Sequence, residues 1–192
     1  MDVTLDRQAF FEVMASFPTG VAVVTTVDAA GIPRGLTTTA VCSVSADPPT
    51  LLVSIAHASR TLDAVRGRGS FVVNFVGDGR TELCLRFASK VEDKFEGVAW
   101  QLTGGGIPLL HEDAIAWAEC TVACEVDVAD HSLVVGTVVA GGLSAELEAP
   151  LLYYRRSWGV WAPTHEPSEP EPVEIPSVDV GGRDLRWQGV EF

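Results

Sequence analysis

The sequence of 192 residues lacks what several classes of protein require. It has 13 Lys and Arg against 26 Asp and Glu, so its net charge is −13, and the clustered cations needed to bind nucleic acid or anionic membrane are scarce. No uninterrupted apolar run reaches the ~18 residues of a membrane helix. The first residues also lack the cationic start of a secretory signal. Hydrophobic residues make up 47% of the chain, which excludes general disorder. We predict a cytoplasmic protein, because the cysteines are expected to be reduced core thiols.

The usual sequence signatures of catalysis are also missing. No GxSxG, HExxH, GxGxxG or GxxxxGK[ST] motif occurs, so nucleophilic, metal-dependent and P-loop chemistry have no local support. The four cysteines form no CxxC pair, and we predict buried, reduced thiols and no metal site. Cys120 and Cys124 have the even spacing that places both on one face of a strand. The cysteines are Cys42, Cys84, Cys120 and Cys124.

Short β-branched runs separated by turn residues dominate the pattern of the chain. An initial helix is predicted after the capping residue Asp6, since Phe10, Val13, Met14 and Phe17 recur at helical spacing. So many strands linked by turns favour an antiparallel β-barrel with peripheral short helices. The predicted strands are 20–27, 35–45, 50–56, 70–76, 114–128, 132–141 and 150–155, and the later helices are 59–66 and 81–88.

The composition changes after residue 162. Five prolines and four glutamates lie between Pro163 and Pro176, which is typical of an extended, solvated segment. We therefore divide the chain into a barrel domain, 1–162, and an acidic C-terminal extension, 163–192. The end of the extension is apolar, and we expect it to dock onto the barrel. Its large apolar residues are Leu185, Trp187, Val190 and Phe192.

Two polar segments could carry chemistry. Ser59-Arg60-Thr61 opens a predicted helix, where free N–H groups, two hydroxyls and a guanidinium could hold a phosphate. The alternative is that Ser59 only caps the helix and Arg60 is a solvated surface residue. Asp130-His131 lies between two long strands, and its alternative interpretation is an ordinary polar hairpin turn.

Eight motifs in order resemble the short-chain flavin reductase family, whose members are reductase components of two-component flavin monooxygenases. The resemblance covers residues 10–161. The motifs are Phe17-Pro18-Thr19-Gly20-Val21, Ser43-Val44-Ser45-Ala46-Asp47-Pro48-Pro49, Ser59-Arg60-Thr61, Phe71-Val72-Val73-Asn74, Arg86-Phe87-Ala88, Asp93-Lys94-Phe95, Asp130-His131 with Gly136, and Leu151-Leu152-Tyr153-Tyr154-Arg155.

This resemblance implies an FMN-binding split β-barrel, mainly β, that forms a homodimer. It implies that NAD(P)H passes a hydride to FMN (or FAD), and that the reduced flavin leaves for a partner monooxygenase. His131 would be the catalytic residue, on the nicotinamide side. The implied cofactor-binding residues are Thr37, Thr38, Thr39 and Ala40 at the isoalloxazine edge, Ser54 beside the ring, Ser59, Arg60 and Thr61 at the phosphate, Phe87, Ala88, Ser89 and Lys90 around it, and Tyr154 and Arg155 near the nicotinamide.

The chain departs from the family pattern next to the expected ring. Thr39-Ala40-Val41 stands where the family commonly has Asn-Ser-Phe, so an amide and a hydroxyl that could contact the flavin are absent. Two alternative functions therefore stay open. One is a barrel that holds FMN tightly and acts directly on an organic substrate, and the other is a non-catalytic ligand-binding barrel.

Overall fold

The computed structural model describes residues 5–144 and 149–161, which form twelve strands and three helices. The helices are α1 (Arg7–Ala15), α2 (Arg60–Arg68) and α3 (Thr81–Ala88). The strands are β1 (Thr19–Gly20), β2 (Ala22–Val27), β3 (Pro33–Thr38), β4 (Val41–Ala46), β5 (Pro49–Ala56), β6 (Ser70–Val76), β7 (Gln101–Leu102), β8 (Pro108–Leu109), β9 (Ala114–Val128), β10 (His131–Leu143), β11 (Leu151–Tyr154) and β12 (Ser157–Val160).

Seven of these strands form one antiparallel sheet in the order β3-β2-β6-β9-β10-β5-β4. The two edge strands, β3 and β4, are nevertheless neighbours in the chain, and only Thr39 and Ala40 connect them. The N–H of Ser54 in β5 donates to the carbonyl of Ala40 at 3.0 Å. The sheet must therefore curl until its edges approach each other, which is the geometry of a split barrel. The predicted fold class, mainly β with an antiparallel split barrel and short peripheral helices, is confirmed.

Three predicted strands are wrong in their extent. The run 20–27 divides at Val21, because Gly20 belongs to β1, which pairs with β11, and β2 begins at Ala22. The run 35–45 divides at Thr38, whose Oγ1 accepts a hydrogen bond from the N–H of Ala40 at 3.0 Å; this local turn interrupts the strand. The run 150–155 is instead the start of a hairpin, β11–β12. Its two turn residues are Arg155 and Arg156, with φ of 46° and 62°, a conformation that matches the twist of the flanking strands.

The strongest patterns give the most accurate predictions. The strands β6 and β9 have the predicted bounds, and all three predicted helices are present. Asp6 caps α1, since its carboxylate accepts from the N–H of Ala9 at 2.9 Å. However, α1 has no buried residue, and its large apolar side chains are all more than two-fifths exposed on this chain. They are Phe10, Phe11, Val13 and Met14, and Phe17 follows them.

The barrel is held together by two main apolar clusters on opposite faces of β2. Val24 belongs to the cluster inside the barrel with Val53 and Phe71, and Val23 belongs to the outer cluster with Phe87. Helix α2 contributes to the inner cluster, whereas α3 contributes to the outer one. Because both faces of β2 are covered, its residues do not alternate between apolar and polar. The two helices are thereby fixed on either side of β2 and β3.

The expectation of four buried thiols is wrong for two of them. Cys84 and Cys120 are buried, but Cys42 and Cys124 are exposed, and all four are free. The prediction that Cys120 and Cys124 share one face of the strand is wrong, because β9 contains a bulge. Cys124 pairs with Val135 and Val122 pairs with Gly136, which leaves one extra residue between them. That residue changes which face the following side chains occupy.

The two buried thiols should make the fold sensitive to alkaline pH. Burial, with a smaller effect of Asp113 or Glu119, raises the pKa of Cys84 and of Cys120 from 9.0 to about 12. Between pH 9.0 and about 12 the unfolded thiol has lost its proton and the folded thiol keeps it, so unfolding becomes easier as pH rises. Each thiol should lower the free energy of unfolding by about 1.4 kcal/mol per pH unit.

Urea unfolding at several pH values measures this slope. Cys120→Ala should be less stable at neutral pH because it leaves a cavity, but its stability should fall less steeply above pH 9.0. The matched control is Cys42→Ala, which removes an exposed thiol and leaves both buried ones in place. If Cys120→Ala and Cys42→Ala showed the same slope, the buried thiol would not be the titrating group.

The predicted extension, 163–192, with the docking of Leu185, Trp187, Val190 and Phe192, lies outside the described residues. Within the described ranges, no helix has the length and apolar character needed to span a membrane.

Candidate functional site

A cavity of about 600 Å³ opens where the ends of β3, β5, α2 and α3 meet. The fold therefore brings together residues from four separate parts of the sequence. Of the predicted cofactor-binding residues, eight line this cavity: Thr37, Ser59, Arg60, Thr61, Phe87, Ala88, Ser89 and Lys90.

The first turn of α2 forms one wall of this cavity. Ser59 is the N-cap of the helix, and its Oγ accepts from the N–H of Thr61 at 3.3 Å. Ser59 therefore caps the helix, as the alternative interpretation held, but it also lines the cavity together with Arg60 and Thr61. The start of a helix carries partial positive charge, which attracts anions. This wall can hold a phosphate.

The opposite wall depends on a glycine. A Cβ at Gly35 would lie 2.7 Å from Cε1 of Phe87 and 3.1 Å from the carbonyl oxygen of Val24. Only glycine lets Phe87 pack against β3, where its ring also meets Phe95 edge-on at 5.0 Å between centroids. Lys94 closes this corner, since its Nζ donates to the carbonyls of Gly35 at 3.0 Å and Phe87 at 2.6 Å. Burial, and then the charge of Arg60, lower the pKa of Lys94.

Four cations line the cavity, namely Arg34, Arg60, Lys90 and Lys94. Arg34 is anchored by Asp28, to which its Nε and Nη2 donate at 3.0 and 2.9 Å. Four positive side chains around one cavity, beside a helix start, suit a ligand with a phosphate group. The residues present therefore fit the phosphorylated end of a flavin nucleotide.

Sequence reasoning missed the three other charged residues of this cavity, Arg34, Glu92 and Lys94. Lys94 lies in the quoted motif Asp93-Lys94-Phe95, which could have identified it. Arg34 and Glu92 carried no local signal. Glu92 is 32 residues from Arg60 in the chain, and the fold brings the segment after α3 to Arg60, which donates to Glu92 and to the carbonyl of Val91.

A second cavity, of about 740 Å³, is lined by three other predicted residues, Thr39, Ala40 and Arg155. Apolar residues from the α1 region, including Phe11, Met14 and Phe17, form much of its wall. Thr37 lines the first cavity and Thr39 the second, so the short connection between β3 and β4 borders both. Thr38, Ser54 and Tyr154 line neither of these two cavities, although the backbone of Ser54 holds Ala40 in place.

His131 lies one strand away from the first cavity. It begins β10 and pairs with Ala56, which lines that cavity, but His131 itself lines neither cavity. Its Nδ1 is 2.7 Å from Oδ1 of Asp130, and this hydrogen bond lowers the pKa of Asp130. The bond fixes the orientation of a side chain that is 45% exposed, and it leaves Nε2 as the ring nitrogen available to a ligand.

The comparisons with known proteins agree with this geometry. The family model described as "Flavin reductase like domain" matches residues 14–162. The chain is 45% identical over 164 residues to a flavin reductase (NADH) of Kitasatospora aureofaciens, covering 85% of this chain and 86% of that protein. It is also 45% identical over 151 residues to a flavin reductase (NADPH) of Lentzea aerocolonigenes, covering 78% of this chain and 87% of that one.

A solved structure has the same fold. The crystal structure of nitrilotriacetate monooxygenase component B from Mycobacterium thermoresistibile superposes with a TM-score of 0.80 at 32% identity. The superposition covers 85% of this chain and 91% of that one.

Proposed function

The chain belongs to the flavin reductase family, and on this premise we propose that it is an NAD(P)H:flavin oxidoreductase that supplies reduced flavin to a partner monooxygenase. The observation that supports this most directly is the cationic cavity. It gathers eight of the residues that the resemblance assigned to FMN (or FAD) from β3, α2, α3 and the residues after α3. The similarity to a monooxygenase component supports the partner.

Each group in the cavity has a defined task in this proposal. The first turn of α2 and Arg60 bind the phosphate, and Phe87 with Gly35 shapes the wall against which the flavin lies. Thr37 to Ala40 border the ring. When bound, flavin supplies the redox chemistry by accepting hydride from NAD(P)H, so the chain needs no nucleophile or metal of its own. Its own work is to bind and orient the two nucleotides.

His131 and Arg155 are proposed to act at the nicotinamide. The hydrogen bond between Nδ1 and Asp130 holds the imidazole of His131 in one orientation at the start of β10. In that orientation Nε2 can position the nicotinamide or stabilise negative charge on the reduced product. Arg155, at the hairpin turn beside the second cavity, offers a cation to the phosphates of the nicotinamide nucleotide.

We also propose that a second copy of the chain covers α1. This helix buries none of its own side chains, and the adjoining cavity walls are largely apolar. An exposed apolar surface of this kind marks an interaction site. The barrel domain of residues 1–162 would be the dimerising unit, with 163–192 as its extension. Free thiols at exposed positions agree with a cytoplasmic protein.

Flavin-dependent oxidation of NADH and NADPH tests the proposed activity. The purified chain should oxidise one or both coenzymes only when FMN, FAD or riboflavin is added, and light scattering should give twice the mass of one chain. A yellow protein that oxidises the coenzyme without added flavin would favour tightly held FMN. The absence of any flavin-dependent oxidation would contradict the proposal.

A further inference from the structure

The cationic cavity contains a carboxylate where a phosphate would be expected to bind. Of the described residues that line it, Glu92 is the only acidic one. Its Oε2 accepts from Nη1 of Arg60 at 2.6 Å, and its Oε1 lies 3.6 Å from Nη1 of Arg34. One carboxylate therefore bridges two guanidinium groups that come from different elements, α2 and β3.

The two arginines are held in place without Glu92. Arg34 is bound by Asp28 through two of its nitrogens and is only 19% exposed. Arg60 donates its other terminal nitrogen to the carbonyl of Val91 at 3.1 Å. Glu92, in contrast, is 82% exposed. Its side chain is the component of this arrangement that can leave without breaking the fold.

We propose that Glu92 acts as an internal competitor of the flavin phosphate. This inference rests on the proposed function and adds a residue that sets the affinity for phosphorylated flavin. In the free protein Glu92 neutralises Arg60 and Arg34; when a phosphate arrives, the carboxylate must withdraw to solvent. A phosphate dianion would otherwise lie beside a negative charge, which raises the cost of binding. The competition weakens binding and favours release, as a protein that hands flavin to a partner requires.

The test compares binding of FMN and of riboflavin, which has the same ring but no phosphate. Glu92→Gln removes the charge and keeps the shape, and it should bind FMN about two- to fivefold more tightly, the range of a solvent-exposed ion pair. Its affinity for riboflavin should not change. Added salt should narrow the difference between Glu92→Gln and the wild-type protein, because salt screens the competing pair.

The matched control is Glu96→Gln, which removes the same charge from an exposed position four residues further along the segment. It should bind both flavins as the wild type does, and Glu92→Ala should reproduce Glu92→Gln. Equal FMN affinity in Glu92→Gln and the wild type, tighter riboflavin binding, or the same gain in Glu96→Gln would overturn the inference. In each of those results FMN still binds, so the proposed function stands. If the wild-type protein bound neither flavin, the proposed function would itself fail.

Discussion

His131→Ala should slow the reduction of flavin by NAD(P)H by about tenfold to a thousandfold, the range for losing a group that positions a reactant or stabilises developing charge. The structure supports a role for His131 at the start of β10, because Asp130 fixes the ring and the neighbouring Ala56 lines the cationic cavity. Stopped-flow measurement of the single-turnover reduction rate, with the protein in excess over flavin and with saturating coenzyme, reports this step directly.

The control for His131→Ala is the neighbouring histidine. His57 follows β5 directly, but its Nε2 is 3.0 Å from Oδ1 of Asp127, and it does not line the cavity. His57→Ala should keep the wild-type reduction rate. Both variants should keep the wild-type melting temperature, since both side chains are more than one-third exposed. An unchanged reduction rate in His131→Ala would show that Asp130-His131 is only a polar hairpin turn.

A second variant separates orientation from chemistry. Asp130→Asn keeps an oxygen that can accept from Nδ1 of His131. It removes the negative charge of the Asp130 carboxylate, whose pKa the hydrogen bond with His131 lowers. If Asp130 mainly orients the ring, Asp130→Asn should lose much less rate than His131→Ala. Equal losses in the two variants would instead indicate that the charge of Asp130 is itself required.

The sequence predicts the strands well where the pattern is regular over the whole element. The strands β6 and β9 are long runs of apolar and β-branched residues between turn residues, and their bounds agree with the structure. The break at Thr38–Ala40 could not be predicted from periodicity. It arises because β3 and β4 are the strands at opposite edges of the sheet. Their positions are a property of the closed barrel and not of the local residues.

The same distinction explains the errors at single residues. Cys124 was expected to share a face with Cys120, but one extra residue in β9 changes the face, and a bulge depends on the partner strand. The helix α1 was identified by its period, yet its apolar face is exposed on a single chain. Period identifies the helix but does not say which surface covers it.

The residues of the candidate site also differ in whether a local sequence signal predicts them. Ser59-Arg60-Thr61 could be predicted from the sequence, because a hydroxyl residue before a helix is a capping signal. In the structure these residues line the cavity. Arg34 and Glu92 could not be predicted as site residues from the sequence. They meet Arg60 only through tertiary packing, and an isolated Arg or Glu in a sequence is usually a solvated surface residue.

Arg60→Ala should weaken the binding of FMN about tenfold to a hundredfold, since a charge-assisted hydrogen bond contributes about 1.5–3 kcal/mol. Binding of riboflavin should change little, because Arg60 is assigned to the phosphate. Titration of flavin fluorescence measures both affinities. The matched control is Arg68→Ala, at the other end of α2, where the guanidinium donates to the carbonyl of Gly105 at 2.7 Å. Arg68→Ala should bind both flavins as the wild type does.

The double variant Arg60→Ala, Glu92→Gln then tests whether the two residues act on the same ligand group. If Glu92 competes with phosphate mainly for Arg60, removing its charge should improve FMN binding in the wild-type background but much less once Arg60 is gone. The residual gain would measure the share carried by Arg34, which lies further from the carboxylate, at 3.6 Å against 2.6 Å. An equal gain in both backgrounds would mean that Glu92 acts through the general charge of the cavity. Equal losses of FMN and riboflavin in Arg60→Ala would contradict the assignment of Arg60 to the phosphate, because riboflavin has no phosphate to lose.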